Sequence, residues 1–268
     1  MYDSLNPVNI DVYMTMQELV GRSWLLDSLL TMATDNQLVK AVVVGCSFVA
    51  AWYAASDEQS FRVRRILTVT VLAGLFAIAA SKMIASNVLS PRPVLFSSPV
   101  YVSQGEQVKK AEQLLIREPL DSDGLENMRA FQAGDFGDSD LESFPSDHAA
   151  LFVSLSVGIL YAHRSLGVLA LSWTVLVILI PRVVTGMHWP LDVVAGGLIG
   201  GLSTVAAVWM TTQRRIPILD PLIRWSMGKP AFSAALLFAV VFEACNSYYN
   251  FRLILRMMKD AARLFLDP

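Results

Sequence analysis

The stretch RVVTGMHWPLD, Arg182 to Asp192, separates two apolar runs, 166–183 and 190–211. Each run approaches the length of about 20 mostly apolar residues that a bilayer-crossing helix needs. The polar stretch therefore reads as a connection at a membrane edge. The same test along the chain yields four more candidate spans: 37–55, 65–89, 147–163 and 229–249. Composition agrees, since 54% of the 268 residues are hydrophobic and only 16% are charged. An ordinary soluble domain carries about 25% charged residues. The expected fold is an all-α integral membrane bundle of six transmembrane helices, with interfacial helices at both ends and residues 1–268 forming one membrane domain.

Residues 1–36 are expected to form an interfacial N-terminal segment. SWLLDSLLTMATDN (23–36) is too short and too polar to cross, and its Leu and Met spacing suits a helix lying at the interface. The N-terminus has no basic stretch followed by an apolar core, so no cleavable signal peptide is expected. Residues 250–268 place Arg252, Arg256, Lys259 and Arg263 along one face of an amphipathic C-terminal helix. Arg62, Arg64, Arg65, Arg164, Arg214, Arg215, Arg224 and Lys229 lie in or beside alternate loops, which the positive-inside rule places in the cytoplasm. The long connection 91–145 then lies outside. It is acidic and reads as a solvated connector. A net charge of −2 argues against nucleic-acid binding. Cys46 and Cys245 sit inside apolar segments and read as small buried hydrophobes, with no zinc-type spacing.

Six spans bring three polar clusters to the outer face: SPRP (Ser90–Pro93), FPSDH (Phe144–His148) and RVVTGMHWPLD. His188 and Asp192 are four apart at a helix start and share a face. A carboxylate on one ring nitrogen leaves the other as nucleophile or base. Gly186 permits a turn that folds Arg182 back toward His188. A guanidinium suits phosphate because its planar fork donates two bonds together. Ser146, Asp147 and His148 open a helix, where free N–H groups favour an anion. His148 is placed to protonate a leaving oxygen, and Arg92 is held between Pro91 and Pro93. Taken singly, these pieces are surface pairs and helix caps. Together they make a phosphoryl-transfer site that works without a metal.

The ordered clusters resemble the type 2 phosphatidic acid phosphatase superfamily, whose signature is Lys-x6-Arg-Pro, then Pro-Ser-Gly-His, then Arg-x3-Gly-x-His-x3-Asp. Arg182, Gly186, His188 and Asp192 match the third part in full; Pro145, Ser146 and His148 match the second; Arg92 and Pro93 match the first. The resemblance implies a membrane-embedded helical enzyme without cofactor or metal. His188 would become phosphohistidine, Asp192 would orient it, and His148 would protonate the leaving group. Arg92, Arg182, Ser146 and the N–H of Asp147 would hold phosphate. Two positions depart from the signature. Ala85 stands where a lysine is expected, with Lys82 about one turn further from Arg92, and Asp147 replaces a glycine. FPSDH is similar to bacterial enzymes that hydrolyse undecaprenyl pyrophosphate. That likeness points to a lipid phosphate substrate in the bilayer and a bacterial inner membrane, with the site facing the periplasm or exterior. Phosphatidate or phosphatidylglycerophosphate phosphatase, lipid phosphotransferase, and lipid or ion transporter are the competing functions. AGGLIGG (Ala195–Gly201) reads as a close helix-packing surface.

Overall fold

A computed structural model describes residues 5–54, 57–104, 107–135, 137–213, 219–245 and 257. The elements are α1 (Pro7–Gln17), α2 (Trp24–Asp35), α3 (Gln37–Ala54), α4 (Asp57–Ala85), a hairpin of β1 (Tyr101–Gln104) and β2 (Gln107–Lys110), α5 (Ser122–Gln132), α6 (Asp147–Ala162), α7 (Arg164–Trp173), α8 (Ile180–Val184), α9 (Pro190–Gln213), α10 (Leu219–Gly228) and α11 (Pro230–Cys245). Apart from the hairpin the architecture is helical.

Small residues decide which helices touch. A Cβ on Gly196 or Gly200 of α9 would collide with the carbonyl oxygens of Ser146 and Ala150 in α6. Gly197 and Gly201 have looser neighbours, with Val153 methyls 3.6 and 3.8 Å from where their Cβ atoms would be. AGGLIGG is therefore a packing surface, and one of its two glycine pairs sets the helix separation. Ser154 and Thr204 pin the same pair of helices by a buried hydroxyl contact of 2.7 Å. From α4, Thr70 occupies the space left by Gly158 of α6. Val44, Phe48, Leu67, Leu151, Phe152, Leu155 and Ile178 fill the surrounding core. α7 continues through a π-helical turn, Thr174–Leu179, into α8. Pro181 has no N–H to donate to the preceding turn, and the wider π turn accommodates that gap.

Four stretches are long and apolar enough to cross a membrane: Gln37–Ala54, Gln59–Ala85, Arg164–Val184 and Pro190–Thr211. Asp147–Ala162 and Pro230–Ala244 are apolar but shorter. The 16 residues of α6 rise about 24 Å at 1.5 Å each, less than a hydrocarbon core of about 30 Å. α6 is nonetheless the central element, flanked by α4, α7 and α9.

The regions outside the spans depart most from expectation. The connection 91–145 is a folded cap: Val94, Leu95 and Phe96 are buried, and Ser90 pairs with Glu142. α2 turns its polar face inward. Asp27 accepts from the N–H groups of Gly21 and Leu120, and Thr31 donates to Asp121 at 3.0 Å. Its Trp24, Leu25, Leu29 and Met32 stay exposed, as suits a helix lying against lipid. α1 is no loose interfacial segment, because Asn9, Tyr13 and Gln17 are buried. Cys46 is exposed rather than buried: in α3 it occupies the face opposite the core residues Val44 and Phe48. The C-terminal helix read over 250–268 lies outside the described residues except for Met257.

Gly200→Ala is expected to force α6 and α9 apart at a cost of about 1–3 kcal/mol. Gly201→Ala is expected to be neutral or slightly stabilising, because alanine is the better helix former and has room. Thermal melts of the detergent-solubilised protein check this pair, and equal Tm losses in both variants would count against the packing.

Candidate active site

Pro91 and Pro93 force Arg92 into extended backbone, with φ −64° and ψ 148°. Three bonds then fasten this segment to the Arg182–Asp192 loop. The Arg92 guanidinium donates to the Met187 carbonyl at 2.7 Å, the Val94 N–H donates to the Gly186 carbonyl at 3.0 Å, and the Trp189 indole donates to the Pro91 carbonyl at 2.9 Å. Gly186 sits at φ +78°, and a Cβ there would press on Val94 and the Tyr13 hydroxyl. Only glycine takes that backbone shape without strain. The resulting turn is tight enough that the Arg182 carbonyl accepts from the N–H groups of both Met187 and His188. The sequence expectation that this glycine folds Arg182 and His188 together is what the backbone does.

His188 is 3% exposed. Its Nδ1 lies 3.0 Å from the Ser143 carbonyl oxygen and 3.7 Å from Asp192 Oδ2. Asp192 thus stands within ion-pair distance of the ring, on the same face as the four-residue spacing expects, while the nearest acceptor is a backbone carbonyl. A carbonyl accepts only, so the proton resides on Nδ1 and the Nε2 lone pair is free. Asp192, fully buried, acts one step behind. Its Oδ2 accepts from the Ser143 hydroxyl and from the Trp189 N–H at 3.0 Å. Ser143 therefore touches both members of the pair. It stands three positions before Ser146, and no spacing rule singled it out.

At the start of α6, the Ser146 N–H donates to the Asp192 carbonyl at 3.0 Å, tying the second motif to the third. The Ser146 hydroxyl caps the helix by accepting from the Ala149 N–H at 3.4 Å. Asp147 directs its carboxylate to His148 Nδ1 at 2.8 Å and Lys82 Nζ at 3.2 Å. Lys82, which stands nearest the signature's lysine position, is thereby engaged with the Asp147 carboxylate, while the sequence reading assigns only the N–H of Asp147 to phosphate. Arg92 Nε faces Asp140 Oδ1 at 3.2 Å, a partner the sequence reading left among the solvated acids. Arg182 is 6% exposed, and among the described residues its Nε has no hydrogen-bond partner and it makes no ion pair, whereas Arg92 and Lys82 each face a carboxylate.

Electrostatics link these groups into one site. Burial pushes the His188 imidazole below its ordinary value, the Asp192 carboxylate opposes that shift, and the Arg92 and Arg182 charges add to it. Arg182 also lies within Coulombic range of Asp147 and His148. All eight residues singled out from sequence, Lys82, Arg92, Ser146, Asp147, His148, Arg182, His188 and Asp192, thus gather at one end of the bundle. Three residues of α1 that sequence did not flag support them. Tyr13 packs edge-on against Trp189 with centroids 5.3 Å apart, Asn9 accepts from the Leu191 N–H at 3.1 Å, and Gln17 donates to the Val184 carbonyl at 2.8 Å.

A helical membrane bundle that holds two histidines and two arginines at one end defines an integral membrane protein with an anion-handling site. Residues 90–216 match the PAP2 superfamily, and this segment carries all three motif clusters. The chain is 45% identical over 69 residues to the bacitracin transport permease protein BcrC of Bacillus licheniformis, covering 25% of this chain and 32% of that protein. It is 32% identical over 77 residues to YbjG of Escherichia coli (strain K12), named as a candidate undecaprenyl-diphosphatase, covering 28% of this chain and 39% of that protein. The matched stretches thus span well under half of either relative. No solved structure matches the chain.

Ser143→Ala is expected to leave the buried Asp192 carboxylate one donor short. The cost is about 1–3 kcal/mol, since unmade bonds to buried charges are the expensive ones. A lowered Tm in Ser143→Ala, with Ser143→Thr near wild type, is the expected result; an unchanged Tm in the alanine variant counts against the bridging role.

Proposed function

We propose that the chain hydrolyses a lipid phosphate or diphosphate, undecaprenyl diphosphate foremost, through a phosphohistidine intermediate on His188. The observation that carries this reading is the His188 ring itself. Its Nδ1 faces the Ser143 carbonyl, which leaves the Nε2 lone pair for attack, and the ring is buried within Coulombic range of Arg182, whose Nε has no hydrogen-bond partner among the described residues. Nε2 attacks phosphorus and the bond from phosphorus to the leaving oxygen breaks. His148, as an imidazolium whose Nδ1–H is held by the Asp147 carboxylate, gives its Nε2 proton to that oxygen and becomes neutral. Water then attacks the phosphohistidine and restores His188, with His148 returning as base. Arg92, Arg182 and the α6 N-terminus stabilise the equatorial oxygens of the transition state. These fixed cations supply the charge that a metal would, so the rate in EDTA is expected to match the rate without it.

The chain is read as a six-span bundle forming one membrane phosphatase domain, with this site at the outer face of a bacterial inner membrane. The supporting feature is the opposite end, where Arg64 and Arg65 meet Ser226 and Asp220 in the expected cytoplasmic loops. The name of the Escherichia coli relative favours undecaprenyl diphosphate over phosphatidate or phosphatidylglycerophosphate. One relative's name also carries a transport activity. A transport pathway calls for charges through the membrane depth, whereas the motif cations here share one end of the bundle.

Purified protein in detergent is expected to release phosphate from undecaprenyl diphosphate faster than from phosphatidate or phosphatidylglycerophosphate, without an acceptor lipid. His188→Ala should lower the rate by roughly 10³-fold or more. A His188→Ala variant with wild-type turnover would falsify the mechanism. The pH dependence follows from the depressed imidazole. Attack requires neutral His188, and protonation at Nε2 occupies its lone pair. Activity on the acid side should therefore be retained until the pH falls below the ordinary value of 6.5. An acid limb of kcat/KM centred above pH 7 would contradict it.

A further inference from the structure

Lys40 lies one turn into α3 and is 3% exposed. Its ammonium donates to the carbonyl oxygens of Thr34 at 2.8 Å and Asp35 at 3.4 Å, at the end of α2. An ammonium has three protons, so one remains for another acceptor. No carboxylate stands at ion-pair distance from Lys40 among the described residues. The lysine is also at the site's end of the bundle. The Thr34 hydroxyl meets the Thr185 hydroxyl at 3.3 Å, and Thr185 lies between Arg182 and His188. Lys40 lies within Coulombic range of both Arg182 and His148.

The charge balance of the site then has a definite shape. Arg92 faces Asp140 and Lys82 faces Asp147. Lys40 and Arg182 are two buried cations at this end of the bundle with no ion-pair partner among the described residues. Asp35 feels both charges but pairs with neither. Two neighbouring buried cations are costly unless an anion joins them. The position where the resemblance expects a lysine is Ala85, which is buried and has no polar atom to offer.

We infer that Lys40 is a phosphate-binding residue of this pocket and that, with Arg182, it holds a dianionic phosphoryl or diphosphate group. The inference rests on the phosphatase reading above for its substrate class. The cation absent at position 85 comes instead from a different helix, through a side chain whose other two protons are spent on the end of α2. A role confined to capping α2 is the competing explanation. Lys40→Gln separates the two, because the amide still donates to the α2 carbonyls and carries no charge.

The test uses the full chain in detergent, with inorganic pyrophosphate as probe and its affinity read from the thermal shift. Lys40→Gln is expected to weaken pyrophosphate binding by roughly tenfold or more, as loss of a charge-assisted bond implies, with the ligand-free Tm little changed. Lys40→Arg, which restores charge, should recover most of that loss. Wild-type affinity in Lys40→Gln, or no pyrophosphate binding by the wild type, overturns the assignment. Should Lys40→Gln fail to fold, acylation of Lys40 in the wild type decides, read by peptide mass. Protection by pyrophosphate supports the site and an unaltered labelling rate rejects it. Because the readout is binding, wild-type protein that binds pyrophosphate but hydrolyses no lipid phosphate would sink the phosphatase reading and leave Lys40 in place.

Discussion

The backbone contact between α6 and α9 is the constraint from which the site follows. Gly196 and Gly200 leave no side chain between the helices, so Ser146 and Ala150 carbonyls occupy the space where Cβ atoms would stand. At that spacing the Ser146 N–H reaches the Asp192 carbonyl. The start of one helix is thereby locked to the start of the other, with His148 on α6 and Asp192 on α9. Bulkier residues at either glycine would separate the two ends by more than a hydrogen bond tolerates.

Burial sets the chemistry of what is gathered there. His188 loses water, and with it the support for a positive ring, while Arg92 and Arg182 repel a proton further. A backbone carbonyl rather than a carboxylate chooses the tautomer. Asp192, at 3.7 Å from the same ring nitrogen, also organises the loop by accepting from the Ser143 hydroxyl and the Trp189 N–H. The same burial makes unpaired cations demanding. Arg92 and Lys82 are given acidic neighbours, whereas Arg182 and Lys40 have no ion-pair partner among the described residues.

A polar cap holds these pieces from above. α1 and α2 present buried Asn9, Gln17, Asp27 and Thr31 to the motif loops and to the connection 91–145, each satisfying a backbone or side-chain group. Such contacts are individually modest and costly to leave unmade. They immobilise loops that would otherwise carry the site on flexible chain.

The helical membrane architecture, the eight candidate residues and the packing role of AGGLIGG were legible in the linear order of residues. Apolar run length, the turn-forming Gly186 and the helical spacing of His188 and Asp192 are local properties, governed by near neighbours. Ser143 and Asp140 had no such signature: a serine near a helix start and an aspartate in an acidic loop resemble many others until folding puts them against His188 and Arg92. Lys40 was invisible for the same reason, as one lysine near a span end among several snorkelling candidates. The exposed Cys46 and the folded connection 91–145 likewise depended on which helix face met a neighbour. The sequence by itself determined that the chain crosses a membrane and which motifs it carries, because hydrophobic length and periodicity act within single segments. Only the tertiary structure decided which acceptor holds His188 and which carboxylates face Lys82 and Arg92, because those facts arise between segments more than 40 residues apart, as with Ser143 and His188.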